Sequence, residues 1–519
     1  MKAQQLDVYA SIHEPYWLAS IKKTDYPALE ENISVDVAII GGGIVGVTTA
    51  YLLKNSGLKV AVLEANKILH GTTGHTTAKI TSQHGLIYDK IITKFGREKA
   101  KQYAEANEKA IHFIADLVKT KEIDCDFSWR SAYVYTQDDN YIKKIAKEVE
   151  AASSLGIKTN YLDTIPLPFQ IKAVIEFADQ AQFHPLKYLL ALAKEIPGDG
   201  SQIFEATKVI DIEDEKTAML MTENGHRVKA DRVVIASHFP FYDGLGMYFA
   251  RIYVEKSYAL GVIINEQFPE GMFISAEEPT RSLRSQRYKT GEMVIVGGEN
   301  HKTGSEQKTN IHYENLAQFA EETFDLEEIL YRWSTQDCMT IDGLPYTGYL
   351  TANIKNILVA TGFGKWGMTN STASAQILTD LITKGDSPYA TVYNPSRFNL
   401  VTSGAKLITE NVDVAVKLIA GKVASAPSNE DVDIGEAKVL RVDGEKTGAY
   451  RDDKGQLHLV DITCTHLGCE LVWNEAEKTW DCPCHGSRFS YQGANIEGPA
   501  FNSLKRIGEG PNIKDPNIF

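Results

Sequence analysis

The chain has 519 residues and a formal net charge of −14. Because one hydrophobic core seldom serves a chain of this length, we expect two or three domains. An acidic surface repels a phosphate backbone, so nucleic acid is excluded as an expected partner.

Residues 1–34 are predicted to form an N-terminal extension. They contain neither the basic start nor the apolar run of about 7 to 15 residues that is typical of a secretory signal. No stretch of the chain approaches the roughly 18 consecutive apolar residues of a membrane-spanning helix. We therefore expect no membrane span and a cytoplasmic location.

A strand, a glycine turn, a helix and a second strand are predicted from Val35 onward. Gly41, Gly43 and Gly46 form G-x-G-x-x-G directly after an apolar run, where a helix N-terminus can meet a pyrophosphate. Glu64 ends the second apolar run, where its carboxylate can accept a hydrogen bond from a ribose 2'-OH. This pattern predicts a dinucleotide site for FAD or NAD, and the alternative is a glycine turn in an empty Rossmann-like fold.

The middle of the chain mixes helical and strand-like patterns. Helices are predicted around residues 97–120 and 141–154, and strands around 232–237 and 292–298. Near residue 360 the segment NILVATGFGKWGMTNSTASAQILTDLI again predicts a strand, a glycine turn and a helix. These alternating elements favour an α/β protein.

Two segments resemble the D-amino-acid oxidase-like superfamily of flavoenzymes: HGTTGHTTAKIT after Glu64, and ATGFGKWGMTNSTASAQ. The resemblance implies an α/β FAD-binding Rossmann-like domain with an inserted α+β substrate domain over residues 35–395. In that family the first glycine turn holds the FAD pyrophosphate, and the late helix N-terminus faces the flavin. Carried over, the FAD contacts would be Gly41, Gly43, Gly46, Glu64, Thr72, Thr73, Thr76, Val209, Gly362, Gly364 and Gly367.

His75 has three open interpretations. The pattern G-T-T-G-H resembles family members such as dimethylglycine dehydrogenase, which attach FAD covalently through a histidine. The residue could equally be a noncovalent flavin contact or an ordinary loop histidine. We include His75 among the candidate FAD-binding residues.

The catalytic residues are not identified by the sequence. Sarcosine oxidase-like members place a basic residue after the late glycine turn, whereas this chain has Thr369 there, with Lys365 shifted upstream. This departure argues against a simple amino-acid substrate. The candidates for a pocket, each of which could instead be a surface or packing residue, are Arg284, Arg287, Tyr258, Tyr346, Lys365 and Trp366.

Beyond the predicted flavin domain, residues 396–432 are predicted to be a connector. They include an amphipathic pattern and then a small-polar stretch typical of a flexible linker. From residue 433 onward, apolar and polar residues alternate between DG and DDKG turns. This alternation predicts an all-β module over residues 433–519.

Four of the six cysteines, Cys464, Cys469, Cys482 and Cys484, lie within 21 residues. Such crowding in a cytosolic chain suggests a metal site. C-x-H followed by C-x-x-H would bring two thiolates and two imidazoles together from two loops, although four cysteines alone could form a zinc knuckle.

The segments CTHLGC and CPCHGSRF, with a later G-P-A, resemble Rieske proteins. The resemblance implies an all-β Rieske domain with a 2Fe-2S cluster. In it Cys464 and Cys482 bind one iron, and His466 and His485 bind the other. In the cytochrome bc subclass, which this chain resembles, the positions of Cys469 and Cys484 form a disulfide.

Two further positions bear on the potential of the implied cluster. Ser487 matches a position that donates a hydrogen bond to a cluster sulfide and raises the potential. Phe489 stands where the high-potential pattern has a tyrosine. We therefore expect an intermediate reduction potential.

Together the resemblances imply an FAD-dependent oxidoreductase. It would oxidise a C–N bond of a small amine or N-substituted amino acid and exchange electrons between FAD, the cluster and an external acceptor or donor. An alternative is an electron-transfer component that serves a partner protein. A Rieske oxygenase also needs a mononuclear iron site, but none of the 13 histidines forms a D/E-x-x-H-x-x-x-x-H pattern.

Overall fold

The chain forms two compact units in a computed structural model that describes residues 7–243, 246–397, 412, 414, 416–418, 426, 427 and 430–510. The first unit comprises Met1–Gly246, Ser257–Asn300 and His312–Thr402. The second comprises Met247–Lys256, His301–Ile311 and Ser403–Phe519. Most of the predicted connector at 396–432 lies outside the described residues.

Helices occur mainly in the first unit, and none in the described ranges is long and apolar enough to cross a membrane. The predicted helices at 97–120 and 141–154 are present as α4 and α5. The α-helices whose bounds lie in the described ranges are α1 Tyr16–Ala19, α2 Ile44–Asn55, α3 Tyr88–Phe95, α4 Arg97–Thr120, α5 Asp139–Ser154, α6 Pro185–Lys194, α7 Tyr248–Arg251, α8 Asn310–Thr323, α9 Gly367–Thr383 and α10 Ala390–Tyr393.

The strands of the described residues make four sheets. Up to residue 361 they are β1 Ile33–Ile40, β2 Val60–Leu63, β3 Lys79–Ile80, β4 Ser128–Thr136, β5 Thr159–Leu162, β6 Ala173–Gln182, β7 Gln202–Phe204, β8 Val209–Glu213, β9 Ala218–Thr222, β10 Arg227–Ile235, β11 Ile252–Ile264, β12 Met272–Ser275, β13 Arg281–Tyr288, β14 Gly291–Lys302, β15 Leu326–Thr340, β16 Tyr346–Tyr349 and β17 Ile357–Thr361. After residue 430 they are β18 Ala437–Val442, β19 Glu445–Arg451, β20 Leu457–Asp461, β21 Val472–Asn474, β22 Thr479–Asp481, β23 Arg488–Ser490, β24 Asn495–Glu497 and β25 Arg506–Gly510.

The first sheet has eight strands in the order β16-β17-β10-β1-β2-β7, with β9 and then β8 continuing from β10. Strands β17, β10, β1, β2 and β7 run parallel. Every residue of β2 and β17 is buried, as expected for parallel strands covered on both faces. The predicted strand-helix-strand unit is confirmed as β1, α2 and β2.

The second sheet has nine strands in the order β15-β11-β14-β13-β12-β4-β6-β3, and β5 pairs with β6. Strand β12 runs parallel to β4, whereas β13 pairs antiparallel with both β12 and β14. Helices and an extensive mixed sheet thus follow the Rossmann-like elements, in agreement with the expected α+β domain.

The C-terminal part of the chain forms two four-stranded antiparallel sheets, β18-β19-β20-β25 and β21-β22-β23-β24. The predicted DG turn joins β18 to β19, and both Asp443 and Gly444 have positive φ values, as a tight hairpin requires. Trp480 and Phe489 are fully buried in the core of this part. The all-β prediction is confirmed.

Candidate functional site

The first glycine turn lies between β1 and α2, at the carboxyl end of a parallel strand. Gly41 has a φ of +105°, and a Cβ at Gly46 would overlap the carbonyl oxygen of Gly41. Only glycine fits this close approach. Gly43 directly precedes α2, so the turn presents a helix N-terminus at the edge of the sheet.

Glu64 follows β2 and lies at the same edge of the sheet as this turn. Its Oε2 accepts a hydrogen bond from the Gly42 N–H at 2.8 Å, and its Oε1 accepts one from the Asn66 N–H at 2.9 Å. Desolvation of the partly buried side chain raises the pKa of its carboxyl. The two backbone donors fix the carboxylate beside the turn, where the sequence predicts its contact with a ribose.

Replacing Gly46 with alanine should lower the FAD content by roughly tenfold or more, about 1.4 kcal/mol in affinity. The added methyl group would push the Gly41 carbonyl out of the turn. FAD content is measured from the absorbance of the desalted protein. Gly291 is the matched control because a Cβ there meets nothing within 4 Å. Equal FAD content in the two variants would contradict the predicted role of the turn.

The segment with Thr72, Thr73, His75 and Thr76 contains a 3-10 turn over Thr72–His75. The Thr73 hydroxyl oxygen accepts a hydrogen bond from the Ile44 N–H at 3.1 Å, which joins this segment to the first glycine turn. The His75 Nδ1 lies 2.9 Å from the Gly71 carbonyl oxygen. The structure thus brings these predicted FAD contacts together.

Large buried side chains hold this segment through its backbone. Trp333 donates from Nε1 to the carbonyl of His75 at 2.9 Å, and Trp17 donates to that of Thr76 at 2.6 Å. The Arg284 guanidinium, fully buried, donates to the Ala78 carbonyl at 2.7 Å. Arg284, a candidate for the substrate pocket, binds backbone carbonyls in the structure and so has a structural role.

The late glycine turn lies between β17 and α9. Gly362 and Gly364 have φ values of +76° and +56°, and Gly367 is the first residue of α9. Strand β10 separates β17 from β1, and all three strands run parallel, so both glycine turns lie at the same edge of the sheet. Val209 opens β8 in the same sheet.

Three other pocket candidates, Tyr258, Tyr346 and Arg287, differ in burial and in the side chains that they contact. Tyr258 is buried and stacks on His312, with ring centroids 4.7 Å apart. Tyr346 is buried beneath the Arg397 guanidinium, whereas Arg287 is exposed. These side chains thus have packing or surface roles in the structure.

His84, which follows β3, packs against the first turn of α9. The sequence analysis does not identify it as a site residue. Its Nδ1 lies 2.6 Å from the Tyr103 hydroxyl, its Nε2 lies 3.0 Å from the Thr369 hydroxyl, and its ring stacks on Trp366 at 5.2 Å. Burial lowers the pKa of His84 to about 3, so the imidazole is neutral at physiological pH. A lone histidine gave no signal in the sequence, because its partners are distant along the chain.

The buried His84 should make the first unit sensitive to acid. In the folded chain the pKa of His84 is about 3, whereas about 6.5 is expected in the unfolded chain. The contribution of His84 to the free energy of unfolding is therefore fully present above pH 6.5 and is lost as the pH falls towards 3. The total loss is at most about 5 kcal/mol. Compared with wild type, His84→Gln should show a smaller fall in the urea midpoint of flavin release between pH 6.5 and 4.

An exposed histidine, His112 on α4, provides the control for this prediction. His112→Gln should leave the pH dependence of the urea midpoint unchanged. An unchanged slope in His84→Gln would show that this imidazole is not the titrating group.

The predicted cluster ligands lie on two loops with the same backbone hydrogen bonds. In the first loop the Cys464 N–H donates to the Cys469 carbonyl at 2.8 Å, and the Gly468 N–H donates to the Cys464 carbonyl at 2.9 Å. In the second loop, the Cys482 N–H donates to the Ser487 carbonyl at 2.7 Å, and Gly486 donates back to Cys482 at 3.0 Å. Each loop therefore turns its cysteine inward in the same way.

The side chains of the four predicted ligands meet in pairs. The rings of His466 and His485 are 5.0 Å apart and perpendicular. The buried thiols of Cys464 and Cys482 contact each other, and this contact lowers the pKa of Cys464 to about 7. The Ser487 hydroxyl also helps to lower the pKa of Cys464.

The groups around the two cysteine sulfurs show whether the site suits an iron-sulfur cluster. The backbone N–H of His466 helps to lower the pKa of Cys464, and that of His485 opposes the rise in the pKa of Cys482, which the neighbouring Cys464 and burial cause. Such donors stabilise thiolates. The Nδ1 of His485 is buried and has no hydrogen-bond partner among the described residues, as expected of a nitrogen that ligates metal. The two loops thus suit two thiolate and two imidazole ligands.

A disulfide joins Cys469 on the first loop to Cys484 on the second, with the Cα atoms 6.6 Å apart. The sulfur atoms of Cys469, Cys482 and Cys484 lie within 4.8 Å of one another. The disulfide therefore ties the two loops together directly beside one predicted ligand.

Comparison with known proteins identifies two domains of the chain. Residues 36–381 match the family model of FAD dependent oxidoreductases, and residues 423–508 match that of the Rieske [2Fe-2S] domain. YhfW of Bacillus subtilis (strain 168), named as a Rieske 2Fe-2S iron-sulfur protein, is 46% identical over 495 residues, which cover 95% of this chain and 97% of that protein. FAD and a 2Fe-2S cluster are therefore the cofactors.

Two further proteins resemble the flavin part. Gamma-glutamylputrescine oxidoreductase of Escherichia coli (strain K12) is 23% identical over 390 residues, which cover 72% of this chain and 89% of that protein. Glycine oxidase from Geobacillus kaustophilus superposes with a TM-score of 0.58 at 18% identity, over 70% of this chain and 99% of the oxidase, which shows the fold. The chain belongs to the FAD dependent oxidoreductase family and carries a C-terminal Rieske [2Fe-2S] domain.

Proposed function

We propose that this protein is a dehydrogenase that oxidises a C–N bond of a small amine or N-substituted amino acid and passes the electrons to its Rieske cluster. The observation that carries the proposal is that one chain holds both an FAD dependent oxidoreductase domain and a Rieske [2Fe-2S] domain. FAD supplies the chemistry of hydride acceptance when bound. The cluster carries one electron at a time to an external acceptor.

The predicted cofactor contacts are part of this proposal. Gly41, Gly43, Gly46 and Glu64 would hold FAD together with the later glycine turn. Cys464, Cys482, His466 and His485 would ligate the cluster. Support comes from the close backbone approach at Gly46 and from the N–H donors aimed at both thiols.

The names of two similar proteins support the substrate class. Gamma-glutamylputrescine oxidoreductase and glycine oxidase are named for substrates that contain a carbon-bound nitrogen. At the start of α9 this chain has the Thr369 hydroxyl, which donates to the Thr81 carbonyl at 2.8 Å and lies beside neutral His84. An uncharged group at this position favours an amine over a substrate held by its carboxylate.

Anaerobic flavin bleaching tests the proposal. Secondary and substituted amines should decolourise the flavin of the purified protein at least about tenfold faster than simple amino acids. N-methyl amino acids belong to the same panel, because they combine a substituted amine with a carboxylate. The rate of loss of flavin absorbance is measured for each compound. If no member of the panel bleaches the flavin, but a reduced partner protein reduces it, the chain is an electron-transfer component and the dehydrogenase proposal is wrong.

A further inference from the structure

The second cluster loop begins and ends at a buried ion pair. Asp481, which directly precedes Cys482, lies opposite Arg488 in the β22–β23 pair. The Arg488 Nε lies 3.4 Å from Asp481 Oδ1. Asp481 also accepts hydrogen bonds from the Thr479 hydroxyl at 2.7 Å and the Asn474 amide at 2.8 Å. Both strands that carry this loop are therefore fixed to one buried carboxylate.

A second cation, Lys256, lies against the same carboxylate. Its Nζ is 3.6 Å from Asp481 Oδ2, and both side chains are at most 1% exposed. Lys256 belongs to the segment Met247–Lys256 of the second unit. Its Nζ has no hydrogen-bond partner in the part of the chain that the structure describes. Burying an ammonium group costs free energy even when a carboxylate lies beside it, so folding alone does not explain a lysine at this position.

Residues near this lysine, in the same unit, contact the second cluster loop directly. A Cβ on Gly486 would lie 2.7 Å from the Cβ of Val254, two residues before Lys256. A Cβ on Gly304 would lie 2.7 Å from the backbone nitrogen of Pro483. The ring of Phe249 packs edge-on against His485, with centroids 6.2 Å apart. Segments 247–256 and 301–311 therefore contact the loop at several places.

We infer that Lys256 is a positioning residue for the second cluster loop and that its buried positive charge raises the reduction potential of the Rieske cluster. Reduction adds one negative charge to the cluster. A fixed cation that is screened little by water stabilises the reduced form more than the oxidised form. The inference depends on the cluster and is independent of the substrate that the flavin oxidises.

Redox titration of full-length Lys256→Met, followed by the electron paramagnetic resonance signal of the reduced cluster, tests this inference. Methionine keeps the unbranched length of lysine and removes its charge. The ratio of reduced to oxidised cluster at a fixed potential should fall about tenfold, which is about 59 mV for a one-electron centre. No substrate or turnover is needed, so the result is separate from the test of the proposed function.

Lys454 provides the matched control because it is exposed in the turn between β19 and β20 of the same unit. Lys454→Met removes the same charge at the surface and should leave the midpoint unchanged. A wild-type midpoint in fully loaded Lys256→Met would overturn the inference. An equal downward shift in the control would also overturn it, because net charge would then account for the effect.

Lys256→Arg keeps the test decisive if the methionine variant fails to load the cluster. It should retain the cluster and a midpoint close to that of wild type, since it restores a cation beside Asp481. Loss of the cluster in both variants, with FAD retained, would show that the positive charge is not what the site requires and would reject the inference.

Discussion

Replacing His485 with alanine is expected to remove the 2Fe-2S spectrum and to leave FAD bound. The Nδ1 of His485 is buried without a hydrogen-bond partner among the described residues, and burial lowers the pKa of the imidazole to about 3. A neutral, pre-oriented nitrogen is what an iron ligand requires. The residue lies in the second compact unit, whereas Gly41 and Glu64 of the predicted FAD site lie in the first.

Iron, acid-labile sulfide and FAD are measured per chain in the purified variant. Wild type should contain two iron ions, two sulfides and one FAD, the stoichiometry of one 2Fe-2S cluster and one flavin. His485→Ala should contain less than roughly a tenth of the wild-type iron, because a missing ligand leaves one iron site open. Zinc in place of iron in wild type would contradict the assignment of the metal.

His458 is the matched control for this substitution. It is also a buried histidine of the second unit, but it lies outside the cluster loops. Its Nε2 is 2.9 Å from a carboxylate oxygen of Asp452. His458→Asn should retain the cluster. Simultaneous loss of FAD and iron in His485→Ala would mean that the two cofactor sites do not fold independently.

The elements around both sites could be predicted because their signals are local. Gly41, Gly43 and Gly46 lie within six residues of one another, and the apolar runs on either side determine the strands and the helix. The DG pair at Asp443 and Gly444 fixes a hairpin through its own backbone preferences. Neighbouring residues carry all the information that such elements need.

Contacts between distant parts of the chain could not be predicted in this way. His84 meets Thr369, which lies 285 residues away, and no periodicity connects them. Arg284 could have been a substrate contact until the structure showed its guanidinium on the carbonyls of Thr77 and Ala78. Lys256 lies in an ordinary strand pattern, and its ion pair with Asp481 depends on the tertiary fold alone. A single sequence does not show which distant residues come into contact.

The electrons of the proposed dehydrogenase should reach the cluster in a fixed order. When substrate is added without oxygen, we expect the flavin absorbance to bleach first and the electron paramagnetic resonance signal of a reduced Rieske centre to appear afterwards. The order follows because a flavin accepts two electrons from the substrate, whereas a 2Fe-2S cluster carries one. Rapid mixing with absorbance detection, followed by freeze-quenching, measures both events.

His485→Ala separates substrate oxidation from onward electron transfer. Its flavin should still bleach at the wild-type rate, because the first unit retains the glycine turns at Gly41–Gly46 and Gly362–Gly367. Turnover with a one-electron acceptor should fall by roughly tenfold or more, about 1.4 kcal/mol in the barrier, because the exit route through the cluster is lost. His458→Asn should turn over normally. If the cluster stays oxidised after the flavin is reduced, or if His485→Ala turns over at the wild-type rate, the cluster does not serve the flavin and has a structural role or a different electron partner.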